Sequence, residues 1–342
     1  MKDDMKKLLL LFSLTLMSIS AAAQMMPDST VQFCSYWSVG EKQAYNLNNS
    51  EYRVSGSDTT LVESSTEIMI IEVLAQTETS YQLGVTYDDV YYSDPEMNLL
   101  YGKMTETLGD MPILITTDQF GSIVSIDNLE ELTALQLSLA DPLLEMMEKE
   151  SDEELDEETR KALREYVTTL LGSPELMQKA VVEEVGRMFE FHGSRLELGK
   201  EYSGQIQVES ILPGVDTPIT ANTNIWIDTD LTDEYSAVGR IYTSVDKEDV
   251  IECVIETVKA TITATGIGGT DFDQALKEAE DQLKDLELSM EEYTTCEVHM
   301  GTGWPLNLYY DRHIYGNTDG ESQEQIKKMS IEIIIPDNST EE

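Results

Sequence analysis

The chain has 342 residues, 66 of them acidic and 22 basic, for a formal charge of -44 with histidine neutral. A surface of that sign repels polyphosphate, which excludes nucleic acid as a partner and disfavours an anionic membrane face. The three cysteines, Cys34, Cys253 and Cys296, form no C-x-x-C pair, which excludes a disulfide scaffold and cysteine-built zinc or iron-sulfur sites.

At the N-terminus Lys2, Lys6 and Lys7 precede an apolar run from Leu8 to Ile19, followed by Ala21-Ala22-Ala23-Gln24. A basic start, a short apolar stretch and small residues in that order make residues 1–23 a cleavable signal peptide, cut between Ala23 and Gln24. The apolar run falls well short of the ~20 residues that a helix needs to cross hydrocarbon. No later segment is long and apolar enough, so no membrane span is expected after the signal is removed. Cys34 lies well past the expected first mature residue, where a lipid-modified cysteine does not sit. The expected location is outside the inner membrane, periplasmic or extracellular.

Beyond the leader the pattern is that of sheet. Ile68 to Leu74 is apolar on both faces, as a central strand is. Tyr81 to Tyr91 alternates, with Tyr81, Leu83, Val85, Tyr87 and Tyr91 on one side and Gln82, Thr86 and Asp88 on the other. Ile113 to Ile115 and Ile123 to Ile126 flank a glycine-containing hairpin loop, Asp118-Gln119-Phe120-Gly121-Ser122. The first 130 or so residues are therefore expected to be mostly strand.

Helical spacing follows. Leu129, Leu132, Leu135, Leu139 and Leu143 form one stripe that is interrupted near Pro142. Ser151-Asp152-Glu153-Glu154 is a capping-box pattern, and Leu155, Ala162, Leu163, Tyr166, Val167 and Leu170 continue it up to Gly172. Ser173 and Pro174 open a further helix with Met177, Val181, Val185 and Met188 on its apolar face and Gly193 at its end.

Strand patterns return at Tyr202 to Leu212, Ile219 to Ile227 and Tyr235 to Val245. Residues 247–262 satisfy both helix and strand criteria, with Val250, Val254 and Val258 favouring a helix capped by Asp246. Thr270 to Met290 is expected to be an acidic helix, residues 293–300 and 306–315 a hairpin, and Met329 to Ile335 a last strand. The order predicts an α+β fold: a long, curved antiparallel sheet with several helices packed against it. The mature region 24–342 reads as one large domain or as two similar β-then-α halves, about 31–193 and 194–336.

No constellation of residues carries recognisable chemistry. Only His192, His299 and His313 are available as general bases or metal ligands. His192, ahead of Gly193, is expected to sit as an imidazolium at a helix C-terminus. Pairing Met300 with Leu306 in the last hairpin puts His299 opposite Asn307 and His313 opposite Tyr293, ~20 Å apart at ~3.3 Å per residue, too far to share a metal. Asp311-Arg312-His313 then reads as a solvated strand face.

Asp228 to Glu234 is rich in carboxylates but lacks the glycine and terminal glutamate of a calcium loop. Gly266-Ile267-Gly268-Gly269 is followed by Asp271 and Asp273, which occupy the place of an anion. There is no G-x-S-x-G and no cofactor motif. No catalytic, cofactor-binding or metal residue is assigned. Cys253 and Cys296 are either a disulfide or two buried thiols.

The leader ending Ala21-Ala22-Ala23-Gln24, the Phe120-Gly121-Ser122-Ile123 turn and the Gly303-Trp304-Pro305 turn resemble exported Bacteroidota-type proteins of unknown function, a resemblance that implies no activity. The arrangement is more loosely similar to periplasmic lipid and lipoprotein carriers, in which a long curved sheet covers helices. That likeness identifies no ligand-lining residues; a carrier of a hydrophobic ligand would need an apolar cavity between sheet and helices, and the helix-face methionines Met146, Met147, Met177 and Met188 are candidates either to line one or to pack as core. The functional expectation is a non-enzymatic envelope protein binding an unknown ligand or partner, with a hydrophobic ligand between sheet and helices as one form of it. A structural or protein-interaction module is the first alternative, marked by an exposed apolar patch. A hydrolase with carboxylates or histidines converging in a cleft is the second.

Overall fold

The computed structural model describes residues 29–108, 111–150, 157–208, 219–251, 255, 287–318 and 321–335. The leader with Ala23 and Gln24, Cys253, Leu212, the capping box at 151–154, the glycine turn at 266–269 and most of the acidic helix expected at 270–290 lie outside the described residues. In chain order the elements are β1 (Thr30–Gln32), β2 (Lys42–Ser55), β3 (Asp58–Gln76), β4 (Ser80–Tyr92), α1 (Pro95–Leu108), β5 (Ile113–Asp118) and β6 (Ile123–Ile126). Then come α2 (Leu129–Ser138), α3 (Ala140–Glu150), α4 (Glu157–Leu171), α5 (Pro174–Val181) and a π-helical turn, Val182–Gly186. The rest is strand: β7 (Arg195–Glu197), β8 (Tyr202–Val208), β9 (Ile219–Ile227), β10 (Ser236–Val245), β11 (Glu287–His299), β12 (Pro305–Thr318) and β13 (Glu321–Ile333).

Antiparallel sheet dominates, with the helices subordinate to it. Eleven strands pair in the order β6-β5-β4-β3-β2-β13-β12-β11-β10-β9-β8, an open sheet in which the first and last long strands, β2 and β13, meet in the middle. Alternation divides its faces. Tyr45, Leu47, Met69, Ile71, Val73, Leu83, Val85, Val298, Leu308 and Ile331 are buried on one face. Asn46, Asn48 and Tyr309 stand exposed on the other. The buried face is covered by Val31, Phe33 and Trp37 from the N-terminal segment and by Val181, Val185, Met188, Phe189 and Phe191 from α5 and the turns after it. Each large apolar side chain sealed there contributes ~1.5–3 kcal/mol, enough for this layer to dominate stability.

The helices begin and end for local reasons. Ser173 Oγ accepts the Leu176 N–H at 3.3 Å, and Pro174 occupies the first turn, where a missing N–H costs nothing. The break between α2 and α3 falls at Leu139, so that Pro142 sits in the first turn of α3 and not in a helix interior. Lys247 to Ile251 and residue 255 are helical, and Val250 is buried against Val245 and Met290.

Two glycine turns clamp the N-terminal segment. Ser35 N–H and Oγ–H both donate to Phe120 O, at 3.1 and 3.0 Å, while Tyr36 N–H donates to Thr302 O at 3.1 Å. Gly121, at φ +96°, leaves no room for a Cβ, which would overlap Ser35 Oγ and lie 2.8 Å from His192 Cδ2. Gly303, at φ +75°, is equally closed, because a Cβ would overlap the Cys34 carbonyl. Trp37 and Trp304 stack at 4.5 Å between centroids, and Trp304 Nε1–H donates to Glu41 at 2.6 Å. The two turns that carry the sequence resemblance thus meet at one point.

Four expectations are corrected. α1 was not anticipated in a region expected to be strand; Asp94 Oδ1 accepts the Glu96 N–H at 2.8 Å at its start. Tyr91 is 59% exposed, and Tyr92 turns inward in its place, because Asp89 (φ +48°) is an extra residue in β4 opposite β3. Residues 287–290 belong to β11 and not to the end of an acidic helix, with Met290 buried. In the last hairpin Cys296 faces Leu308 and Glu291 faces His313, a register two residues from the expected one, with a bulge between Glu297 and Val298. A shift of two leaves every side chain on its expected face.

Gly121→Ala and Gly303→Ala should each cost about 3 kcal/mol or more, combining a left-handed conformation with a steric overlap. Gly40→Ala, at φ +85° with nothing within 4 Å of its Cβ, should cost only ~1 kcal/mol. Thermal midpoints of the three variants measure the difference; equal shifts would show that the clamp is not tightly packed.

Candidate functional site

At the margin of the covered face, the π-turn passes over β2, β3, β12 and β13 and leaves a cleft of about 300 Å3. Asn49, Ser65, Glu184, Arg187, Tyr310 and Lys327 are among its walls. A second cleft of about 420 Å3, bounded by Lys179, Val182, Glu292 and Arg312, shares Glu183 and Arg187 with the first. The wider ring of a π-turn shifts the residues that follow it around the helix axis, and such turns recur at binding sites. Here the turn carries Glu183 and Glu184 and is followed directly by Arg187.

The carboxylates on this turn are not equivalent. Glu183 meets Lys327 Nζ at 3.8 Å. Glu184 accepts the Tyr87 O–H at 2.5 Å. Burial pushes the Glu184 carboxyl up from its ordinary range, opposed by that hydrogen bond and by Lys327. Burial, and then the charge of Glu184, raises Glu67 to about 8. Tyr87 and Tyr92 are raised as well, by burial first and then by Glu184 and Glu67 respectively. The inward turn of Tyr92 that the Asp89 bulge produces is what completes this acid-phenol cluster.

On the opposite wall the residues form a chain of supports. The Arg187 guanidinium carbon lies over the Tyr310 ring, 3.8 Å from its centroid. Tyr310 O–H donates to Glu292 Oε1 at 2.8 Å, and Arg312 Nε lies 2.9 Å from the same oxygen. Burial followed by Glu292 raises the Tyr310 phenol, which therefore stays a neutral donor.

The residues singled out in the sequence lie elsewhere. His192 is 4% exposed and donates Nε2–H to Gly303 O at 2.7 Å. Burial lowers its pKa to about 4, so it is a neutral part of the clamp and not an imidazolium capping a helix. His299 pairs with Thr302 at 3.0 Å within its own turn, and His313 with Glu324 at 2.6 Å on the outer sheet face. Asp311 of that face meets Lys328 at 3.6 Å. Asp228 holds Arg240 through both oxygens, at 2.8 and 2.9 Å, which occupies the first carboxylate of the Asp228 to Glu234 loop. Among the described residues no group of three His, Cys, Asp or Glu is placed to hold a metal. Cys296 is a free buried thiol donating to Met188 O at 3.6 Å.

Two of the four methionines expected to line an apolar cavity are packed into the described core. Met188 is 1% exposed among Phe33, Trp37, Phe189 and Phe191, and Met177 packs against the same cluster. The side chains of Met146 and Met147 lie outside the described residues. Besides the cleft beside the π-turn, an opening of about 320 Å3 lies between β6 and the helical layer, with Ile123, Val124, Ile126, Val182 and Phe189 among its walls. Sequence reading missed Glu67, Glu184, Arg187, Tyr310 and Lys327. The available signal was Glu184, which falls with Met177, Val181 and Met188 at the spacing of an apolar stripe, where a carboxylate needs a partner.

No family model matches the chain, and no curated protein matches it at a significant level. Among solved structures it is similar to OmpT, an outer membrane protein of Vibrio cholerae, in its in-vitro folded trimer form: 10% identity, TM-score 0.20, covering 86% of this chain and 100% of that one. It is also similar to Ail, the attachment invasion locus protein of Yersinia pestis, at 5% identity and TM-score 0.14, covering 87% of this chain and 100% of that one. TM-scores this low define no shared fold. No helix among the described residues is long and apolar enough to cross a membrane, which says nothing of crossing by strands.

The cluster makes stability depend on pH in a defined direction. A raised carboxyl contributes stability that is complete below the unfolded value near 4.5 and is lost as pH rises toward about 8 for Glu67. His192 has the opposite slope: its contribution is present above 6.5 and is lost as pH falls toward about 4. Glu67→Gln should therefore be more stable than the parent, by a margin that grows between pH 4.5 and 8 at no more than ~1.4 kcal/mol per pH unit. Urea titrations of both proteins across that range give the margin, and the His192 slope cancels in the difference. A margin independent of pH would show that Glu67 is already ionised in the folded protein.

Proposed function

We propose that the mature chain is a non-enzymatic, exported protein of the cell envelope, periplasmic or extracellular, that binds a polar ligand in the cleft between the sheet and the π-turn. The observation that carries this reading is the Arg312-Glu292-Tyr310-Arg187 chain, which holds a half-buried cation in place at the wall of two adjoining clefts. Holding groups rigid before a ligand arrives lowers the entropic cost of binding. The signal-peptide pattern supports export. The histidines support a binding role over catalysis, since His192 and His299 are committed to turns and His313 to an ion pair on the opposite sheet face.

A hydrolase is the second reading, because Glu51, Glu63, Glu183 and Glu184 converge in the first cleft and Glu184 is raised. It would use Glu184 as general acid. Against it, one Glu184 oxygen already accepts the Tyr87 hydroxyl. The protein-interaction module is supported by Leu137, Leu170 and Leu176, which are 37%, 42% and 39% exposed near the junction of α4 and α5.

Ala180 lines the first cleft from α5 and is exposed, so Ala180→Trp should fill the opening while leaving the fold and its thermal midpoint unchanged. Native mass spectrometry of protein from its own host should show a small-molecule adduct on the parent and none on the variant. An adduct retained by a folded Ala180→Trp protein would place binding elsewhere. Turnover of chromogenic glycosides or esters that Glu184→Gln abolishes would replace the binding reading with the hydrolase.

A further inference from the structure

We infer that the ligand of this cleft carries an oxyanion, a carboxylate or a phosphate, and that Arg187 is the residue that binds it. The inference rests on the cleft being a ligand site and goes beyond that reading in naming the chemistry recognised.

Carboxylates outnumber cations threefold in this chain, and cations near the cleft and on the sheet have taken them as partners. Lys327 meets Glu183, Arg312 meets Glu292, Lys328 meets Asp311 and Arg240 meets Asp228. Arg187 differs: among the described residues its guanidinium makes no hydrogen bond and no ion pair, although Glu183 and Glu184 belong to the turn just before it. It lies over the Tyr310 ring, and its charge acts on Glu190, whose carboxyl is raised by burial and lowered in part by Arg187. A guanidinium engaged through its face keeps the N–H groups along its edge, and that edge matches the two oxygens of a carboxylate or phosphate.

The surroundings suit an anion better than the overall charge implies. Glu183 and Glu292 are paired with Lys327 and Arg312, and burial shifts Glu184 and Glu190 toward their protonated forms, so these four repel a ligand less than free carboxylates do, while Glu51 and Glu63 line the same cleft. Arg187 is also fixed in advance. Glu292 anchors the Tyr310 hydroxyl, Arg312 anchors Glu292, and the ring beneath the guanidinium cannot swing away. Asn49, Ser64 and Ser65 on the far wall of the first cleft offer neutral hydrogen-bonding groups to the rest of the ligand.

The test titrates full mature protein with acetate, methyl phosphate and, as a neutral control, methanol at constant ionic strength, following fragment NMR line widths. Acetate, methyl phosphate or both should bind, methanol should not, and Arg187→Gln should weaken anion binding about tenfold or more, the size of a lost charge-assisted bidentate contact. Arg187→Lys, which keeps the charge without the fork, should fall between the two. The stronger fragment identifies the carboxylate or the phosphate as the recognised group. If neither anion binds, or if Arg187→Gln binds as the parent does, the inference is overturned. If Arg187→Gln is unfolded by circular dichroism, Arg187→Lys decides: affinity equal to the parent overturns the forked contact. An adduct from the host that persists on folded Arg187→Gln would overturn the oxyanion assignment while leaving the cleft as a binding site; anion binding that folded Ala180→Trp retains unchanged would overturn the cleft as the site and the inference with it.

Discussion

The backbone at Cys34 and Ser35 passes between two glycine turns that leave no space for a Cβ, and the inner layer of the molecule is built outward from that approach. One turn, at Gly121, joins β5 to β6; the other, at Gly303, joins β11 to β12, so the clamp ties strands from the two sides of the sheet to the same short segment. Ser122 Oγ–H donates to His192 O at 2.8 Å, and Gly193 N–H donates to Phe33 O at 2.9 Å, which brings the end of the helical layer to the same point. The aromatic rings of Trp37, Trp304, Phe189 and Tyr81 then fill the remaining volume. Small residues make the backbone approach possible, and large ones stabilise it.

The position of the cleft follows from this anchorage. Met188, Phe189, Phe191 and His192 are fixed in the core, and the π-turn lies immediately before them. α5 is fixed from the other end by its Ser173 cap and by Val181 in the same core. The turn therefore cannot relax into a regular helix without displacing one of two anchored ends, and Glu184 and Arg187 are held where a regular helix would not put them. Rigidity in the scaffold becomes definition in the site, the condition under which a single guanidinium selects its ligand.

What was legible in the sequence was what short-range pattern controls. The Ser173-Pro174 helix start, the glycine hairpin before Ile123 and the inward faces of β4 and β12 follow from capping chemistry and period-two alternation, and the structure has them. Tyr91 and Tyr92 exchanged faces because one inserted residue, Asp89 in a left-handed conformation, reverses the alternation, and nothing in the local composition marks it. The final hairpin slipped by two residues because a slip of two preserves every face, so hydrophobic pattern alone does not resist it. The site itself was illegible for a different reason. Arg187, Tyr310, Glu292 and Glu67 come from elements far apart in sequence, and only the pairing of β12 with β13 and of β13 with β2 brings their strands beneath the π-turn.

The charge of the chain gives this arrangement its meaning. With three carboxylates for every cation, an arginine placed at random on the surface would find an acidic partner, and most ion pairs of that kind contribute little. Around the cleft the cations are distributed otherwise. Lys327 and Arg312 quiet the carboxylates nearest Arg187, and the phenol ring beneath it supports the guanidinium without consuming its donors. Burial shifts Glu184 toward its neutral form, opposed by Lys327 and by the Tyr87 hydroxyl that its oxygen accepts. Each of these features reduces local repulsion of an anion in a protein that otherwise repels anions strongly. Their joint effect is to leave one oriented positive group at the wall shared by two clefts.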